Sequence, residues 1–260
     1  MNFSYIDEGH GKVLVFVHSY LWDKEMWRPQ IDFLKKDYRC ISIDLPAHGN
    51  SGVFADNEEV TLKSIAEDIV KFLEKLNIKQ YTYIGLSVGG MLSTHIYNLD
   101  KEKIEKLIIM DSYLGSEPEE TQKLYFSLLD AINITKNIPA HMADKIAPMF
   151  FTQQTAENKT PLYMNFYNSL INIPSEKITS IVKMGKAIFG RENTLEDLKK
   201  IDIPVFFITG EFDFPRPFSE AKEMSEYAAH SGLFKVENAG HISNLENSEK
   251  VNKILKTILK

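Results

Sequence analysis

Residues 83–91 read Tyr-Ile-Gly-Leu-Ser-Val-Gly-Gly-Met. Within them Gly85-Leu86-Ser87-Val88-Gly89 follows the pattern G-x-S-x-G, with an apolar run before it and a helical stretch, Ser87 to Asn98, after it. A nucleophile must stand clear of a sheet's C-terminal edge, and a sharp strand-to-helix turn achieves this by holding it in a strained backbone conformation. Such a turn has no room for bulk. Gly85 and Gly89 leave space on either side of Ser87, and Gly90 lets the helix cross close to the sheet. The five-residue pattern is weak evidence by itself; its position between strand and helix is what separates a candidate nucleophile from a glycine-rich helix start.

Outward from this turn, short apolar runs alternate with amphipathic stretches. Lys12 to His18, Tyr38 to Asp44, Gln80 to Gly85, Lys106 to Asp111 and Pro204 to Gly210 read as strands nearly continuous in Val, Ile, Leu and Phe. Strands covered by helices on both faces look like this. Leu233 to Glu237 is a weaker sixth strand, and Phe3 to Asp7 an expected antiparallel edge. Thr61 caps a helix whose Leu62, Ile65, Ala66, Ile69, Phe72, Leu73 and Leu76 share one face. Phe218 to Ala229 and Ser248 to Leu259 are further helices. The alternation predicts an α/β fold with a mostly parallel, doubly wound sheet and right-handed crossovers.

One stretch has no strand. From Ser112 to about Gly190 the chain is rich in Met and aromatic residues. Ser116 and Glu119 have capping-box spacing at the start of a helix through Leu128. Ser175 opens another helix, ending near Gly190 at a C′ position. The expected organisation is an α/β core from residues 1–111 and 191–260, with 112–190 inserted as a helical cap over one end of the sheet; a separate small helical domain is the alternative.

Composition narrows the function classes. The 260 residues carry a formal charge of −6, with 43% hydrophobic and 25% charged residues, as ordinary globular chains do. The acidic balance and the presence of only four arginines, Arg28, Arg39, Arg191 and Arg216, argue against nucleic acid as a partner. No apolar run is long enough to span a membrane. Met1 to Gly11 lacks a basic region followed by an apolar one, and Cys40 is the only cysteine, so no secretory signal, no internal disulfide and a cytoplasmic location are expected.

A serine hydroxyl needs a base to take its proton and an acid to fix the base's tautomer. His241 follows Gly240 in a loop between the last strand and the last helix; the other histidines, His10, His48, His95, His141 and His230 among them, lack such a setting. Asp213 stands just past the strand ending at Gly210, and the order Ser, Asp, His suits this architecture. Asp111, at the end of the preceding strand, is the rival acid. Two backbone N–H groups should await the oxyanion. One is that of Val88, at a helix N-terminus; the other is expected from the loop His18-Ser19-Tyr20-Leu21-Trp22, with Tyr20 the choice. Ser19 and Trp22 are expected to line the substrate pocket.

At this point the chain resembles the α/β-hydrolase superfamily over nearly its whole length, and within it the small serine esterase, enol-lactonase and perhydrolase-like group. The resemblance rests on G-L-S-V-G-G, on D-L-P-A-H-G-N-S (Asp44 to Ser51), on G-E-F-D and on A-G-H-I-S-N-L-E (Ala239 to Glu246), all in the family's order. Serine in the turn sets the chain apart from the dehalogenases and epoxide hydrolases of the same fold, which use aspartate. Two positions depart from the pattern. His18-Ser19 stands where His-Gly is usual, and a Cβ there would shift the oxyanion loop or narrow the pocket; Pro46-Ala47 stands where Arg-Gly is frequent.

The resemblance implies a hydrolase that cleaves a small carboxylic ester through an acyl-enzyme on Ser87, His241 and Asp213, without metal or organic cofactor. A lactonase with the same triad is the second expectation, to which Arg216 or Arg191 would contribute by holding a substrate carboxylate. A ligand receptor on the same fold is the competing class. Oligomeric state is not legible.

Overall fold

A computed structural model describes residues 1–260. Seven strands, β1 (Tyr5–Gly9), β2 (Lys12–Val17), β3 (Tyr38–Ile43), β4 (Tyr81–Leu86), β5 (Ile104–Met110), β6 (Val205–Gly210) and β7 (Ser231–Val236), form one sheet in the order β1-β3-β2-β4-β5-β6-β7. Only the β1–β3 pair is antiparallel. The α-helices in chain order are α1 (Arg28–Leu34), α2 (Leu62–Lys75), α3 (Val88–Met91), α4 (Ser93–Asp100), α5 (Glu119–Thr135), α6 (Ala140–Ile146), α7 (Gln153–Glu157), α8 (Pro161–Ile171), α9 (Ser175–Phe189), α10 (Phe218–Tyr227), α11 (Ser243–Glu246) and α12 (Ser248–Ile258).

The strands alternate between two apolar cores. In β2, Val15 and Val17 face the core under α2, α4 and α10, while Leu14 and Phe16 face the one under α1 and α12. Both faces are thus covered, which is why the strands carry no polar alternation. Thr61 and Ser64 form a reciprocal capping box at the start of α2. The helical stretch from Ser87 divides into α3 and α4 at Leu92.

Strand order positions the site. β2 has β3 on one side and β4 on the other, so the winding direction reverses there. At such a switch point the connections after neighbouring strands diverge and leave a crevice at their C-terminal ends. Register pairs Val17 with Gly85, which brings the loop after β2 beside the turn after β4. The turns after β6 and β7 close the same edge.

Between β5 and β6 there are helices only. α9 is tied to the loop before α2: Phe54 N–H donates to Ser180 Oγ at 3.0 Å, and Lys183 Nζ to the carbonyls of Ala55, Asp56 and Glu58 at 2.7–3.0 Å. Two expected details differ. The Ser116–Glu119 capping box does not form; α5 starts after Pro118, and no side chain caps it. Glu117, which would have been helical, is instead buried between Arg191 and Arg216. Gly190 has φ −95°, so it is no left-handed C′ residue. Space explains it, since a Cβ there would lie 2.8 Å from the Lys186 carbonyl oxygen.

The Ser87 turn is packed backbone against backbone. A Cβ on Gly85 would lie 2.2 Å from the Gly89 carbonyl carbon, and one on Gly89 2.2 Å from the Val17 carbonyl oxygen. Both neighbours are backbone, so neither can step aside. Gly89→Ala should therefore cost at least about 1–3 kcal/mol of stability through overpacking and displace α3. Denaturant unfolding checks this; a midpoint equal to that of the parent chain would contradict the fit.

Candidate active site

Ser87 has φ 55° and ψ −114°, a conformation that L-residues adopt only under constraint. Ser87 N–H donates to Met110 O at 2.9 Å, Ser112 Oγ donates to Ser87 O at 2.8 Å, and Tyr83 Oη donates to Gly89 O at 2.7 Å. These bonds clamp both sides of the turn and leave the hydroxyl directed away from the sheet.

His241 Nε2 lies 2.9 Å from Ser87 Oγ, and its Nδ1 lies 3.0 Å from both carboxylate oxygens of Asp213. The imidazole therefore carries its proton on Nδ1, facing the carboxylate, and offers Nε2 to the hydroxyl. All three side chains are buried. Asp213 Oδ1 also accepts the Arg216 N–H at 3.0 Å. Asp111 is not the partner of His241: its Oδ2 accepts from Ser243 Oγ at 2.5 Å and its Oδ1 from the Gly210 N–H at 2.8 Å. Burial, and then the neighbouring Asp213 carboxylate, push the Asp111 carboxyl well above its ordinary range.

The His241 loop is held from below and from the helical stretch at once. Glu246 accepts the Gly240 N–H at 2.7 Å and, on its other oxygen, the N–H and hydroxyl of Thr152 at 3.0 Å each. Ile242 N–H donates to Phe150 O at 3.0 Å.

Facing Ser87, residues 19–22 form a turn closed by Trp22 N–H on Ser19 O at 3.1 Å. Leu21, at its third position, has φ 68°, the left-handed conformation a type II turn demands there. The turn leaves the Tyr20 N–H without an acceptor, and Val88, first residue of α3, has none within its helix. Two histidines hold the turn. His48 Nε2 accepts the Leu21 N–H at 3.0 Å while Nδ1–H donates to Pro46 O at 2.8 Å. His18 Nε2 accepts the Leu45 N–H at 2.8 Å while Nδ1–H donates to Ser19 O at 2.7 Å. Each ring is thus fixed as the neutral Nδ1–H tautomer. Neither role was foreseen; His48 lies within the quoted D-L-P-A-H-G-N-S segment, where its position was the available signal. Ala47, where glycine is frequent, has φ 67°.

A cavity of about 160 Å³ opens on Ser87 and His241. It is lined by Tyr20 and Leu21, by Tyr125, Leu128, Leu129 and Ile132 of α5, by Ile146, and by Ile181, Ile188 and Phe189. Ser19 and Trp22 are not among its walls. Ser19 is fully buried with its N–H on Met26 Sδ, so its Cβ does not narrow the cavity. Trp22 stacks on Phe166 at 4.5 Å and lines a neighbouring groove. The Tyr20 hydroxyl is likewise turned away, donating to Ile181 O at 2.8 Å.

The model of the alpha/beta hydrolase fold family matches residues 12–248. The chain belongs to the α/β-hydrolase fold family. Among relatives of this α/β-hydrolase, 3-oxoadipate enol-lactonase 1 of Acinetobacter baylyi is 24% identical over 95% of this chain and 88% of that protein. (E)-2-((N-methylformamido)methylene)succinate hydrolase of the same organism is 23% identical over 98% of this chain and 93% of its own length. A thermophilic esterase from Thermogutta terrifontis superposes with a TM-score of 0.90 at 21% identity, covering 99% of this chain and 92% of that one. An enol-lactonase from Burkholderia xenovorans gives 0.87 at 20% identity, covering 99% and 96%.

The histidine clamp has a pH signature. Burial, and then the His18 ring, depress His48 to about 3, whereas an unfolded imidazole takes its proton near 6.5. Between those values the unfolded chain binds more protons, so this contribution to stability is complete above about pH 6.5 and is lost as pH falls toward 3. Unfolding free energy should decline over that window, and His48→Gln should show a shallower decline. Parallel curves for the two proteins would rule out the clamp.

Proposed function

We propose that the protein is a serine hydrolase that cleaves a small carboxylic ester through an acyl-enzyme. The observation that carries this reading is the continuous hydrogen-bonded line Ser87 Oγ, His241 Nε2, His241 Nδ1, Asp213, opening on a small and mainly apolar cavity.

In the first half-reaction Ser87 Oγ bonds to the carbonyl carbon and its proton passes to His241 Nε2. The imidazolium forms against the Asp213 carboxylate, which offsets its charge. The Val88 and Tyr20 N–H groups receive the oxyanion, and both are free to do so without rearrangement. Collapse breaks the bond to the leaving alkoxide, which takes the proton from Nε2. In the second half, water adds to the acyl carbon, gives its proton to Nε2, and Ser87 leaves with that proton as the acid is released. We assign residues 112–190 the role of a cap over a core of 1–111 and 191–260, because α5, α6 and α9 supply much of the cavity wall.

A lactone is the second reading, favoured by the enol-lactonases among the relatives. It asks nothing more of the site, since a lactone is an ester whose leaving group stays tethered.

Ser87→Ala should lower kcat/KM on short 4-nitrophenyl esters by at least about 10⁴-fold and abolish labelling by a fluorophosphonate. Turnover by Ser87→Ala equal to the parent would refute the assignment. Labelling and ligand-induced stabilisation without multiple turnovers would identify a receptor instead.

A further inference from the structure

The cationic side chains on the cavity wall are Lys145 and Arg216, and no carboxylate lines it. Lys145 is exposed, at the rim. Arg216 is buried, and its backbone N–H sits on the catalytic-acid candidate Asp213. Its guanidinium belongs to a compact cluster in which Glu117 and Arg191 are buried and Glu220 is half-buried. Nη2 pairs with Glu117 Oε1, and Nη1 reaches Glu220 at 3.5 Å. Arg191 Nη1 donates to the same Glu117 oxygen at 2.8 Å, leaving its Nε and Nη2 buried without partners.

The donors of the cluster outnumber its acceptors, since Arg191 Nε and Nη2 are left unpaired. Two guanidiniums, charged at any working pH, face Glu117 and Glu220. Burial pushes Glu220 up to about 7, so near neutrality it carries only part of a charge. Arg216 is the member of this cluster that reaches the cavity wall. A buried guanidinium on a wall that holds no carboxylate is a ready partner for an incoming anion.

Resting on the hydrolase reading above, we propose that Arg216 is the anion-recognising residue of the Ser87 cavity and that the favoured substrate is a small ester or lactone carrying a carboxylate a few bonds from the scissile carbonyl. The carboxylate lies on the Asp213 side of the triad, against Arg216, while the apolar walls contributed by α5 and α9 take the connecting carbons. Arg191, which shares the ion pair with Glu117 but is absent from the wall, holds Glu117 in place and does not touch substrate.

The test pairs 4-nitrophenyl hydrogen glutarate with its neutral methyl-capped isostere, 4-nitrophenyl methyl glutarate. A charge-assisted contact predicts a kcat/KM ratio of about 10- to 100-fold in favour of the charged ester. In Arg216→Gln the ratio should fall to near one, and in Arg216→Lys, which keeps the charge but loses the fork, to an intermediate value. A parent ratio at or below one, or a ratio unchanged in folded Arg216→Gln, overturns the proposal. Should Arg216→Gln fail to fold, the ratio in Arg216→Lys decides alone: a fall supports the contact and no change overturns it. Binding of glutarate to Ser87→Ala by calorimetry reads the subsite without turnover. If neither ester is cleaved by a Ser87-dependent route, the hydrolase reading fails; glutarate binding that weakens in Arg216→Lys then still supports the subsite, and glutarate binding that is absent, or unchanged in Arg216→Lys, overturns it.

Discussion

The strained backbone at Ser87 is the constraint on which the site depends. A residue at φ 55° and ψ −114° relaxes unless its neighbours prevent it. Here prevention is mostly backbone against backbone: Gly85 under Gly89, Gly89 against Val17, and Ser87 N–H on Met110 O. The strain is thereby charged to the whole sheet, because β2, β4 and β5 must all keep register for the contacts to persist. The same contacts orient the first N–H groups of α3 toward the space above Ser87. One piece of geometry thus sets both the hydroxyl and half of the expected oxyanion hole.

The opposite wall is held differently. Leu21 and Ala47 both occupy left-handed conformations that glycine would take more easily. What holds them is polar: His48 bonds the Leu21 N–H to Pro46 O, across from His18, which bonds Leu45 N–H and Ser19 O. Two neutral imidazoles, 5.2 Å apart, act as crosslinks between the loops after β2 and β3. Each has a donor and an acceptor at fixed separation, and neither can be protonated without losing the N–H it accepts. This side of the site is ordered by hydrogen bonds that acid removes, whereas the Ser87 side is ordered by packing that acid leaves intact.

The strands were legible because burial on both faces leaves a short, unbroken apolar run, which neither an amphipathic helix nor a surface loop produces. Their ends shift by only a residue or two from the runs. The G-x-S-x-G turn was legible because the physical need for space beside Ser87 has a compositional trace in glycine. Helices α1, α6, α7, α8 and α11 were not recognised. α6 and α7 are too short for a period to emerge, although Thr160 with Pro161 was a readable start for α8. Trp22 and Ser19 misled because position in sequence near a catalytic loop says nothing about which way a side chain turns. Trp22 found a flat partner in Phe166 instead. The clamp histidines and the Glu117 cluster were beyond reach for a further reason. Their partners lie 20 to 100 residues away in the chain, and only the folded topology pairs them.

The attachment of the helical stretch follows from the same division between packing and hydrogen bonds. α9 is fixed to the loop before α2 through Ser180 and Lys183, and to the oxyanion-side turn through Tyr20 Oη on Ile181 O. The segment at residues 150–152 is fixed to the His241 loop through Glu246 and Ile242. The bond from Tyr20 and the bonds to the His241 loop therefore end on residues that also position the site. α5 has no such side-chain bond to the sheet or its loops; it is held on α9, through Gln122 Nε2 on Phe189 O at 3.1 Å and the Lys186–Asp130 pair at 2.6 Å, and presents Leu128, Leu129 and Ile132 to the cavity. Apolar contact is non-directional and yields to a change of shape, while the anchored hydrogen bonds do not. The apolar face of α5 is thus the part of the cavity wall without a directional tie to the loops around Ser87.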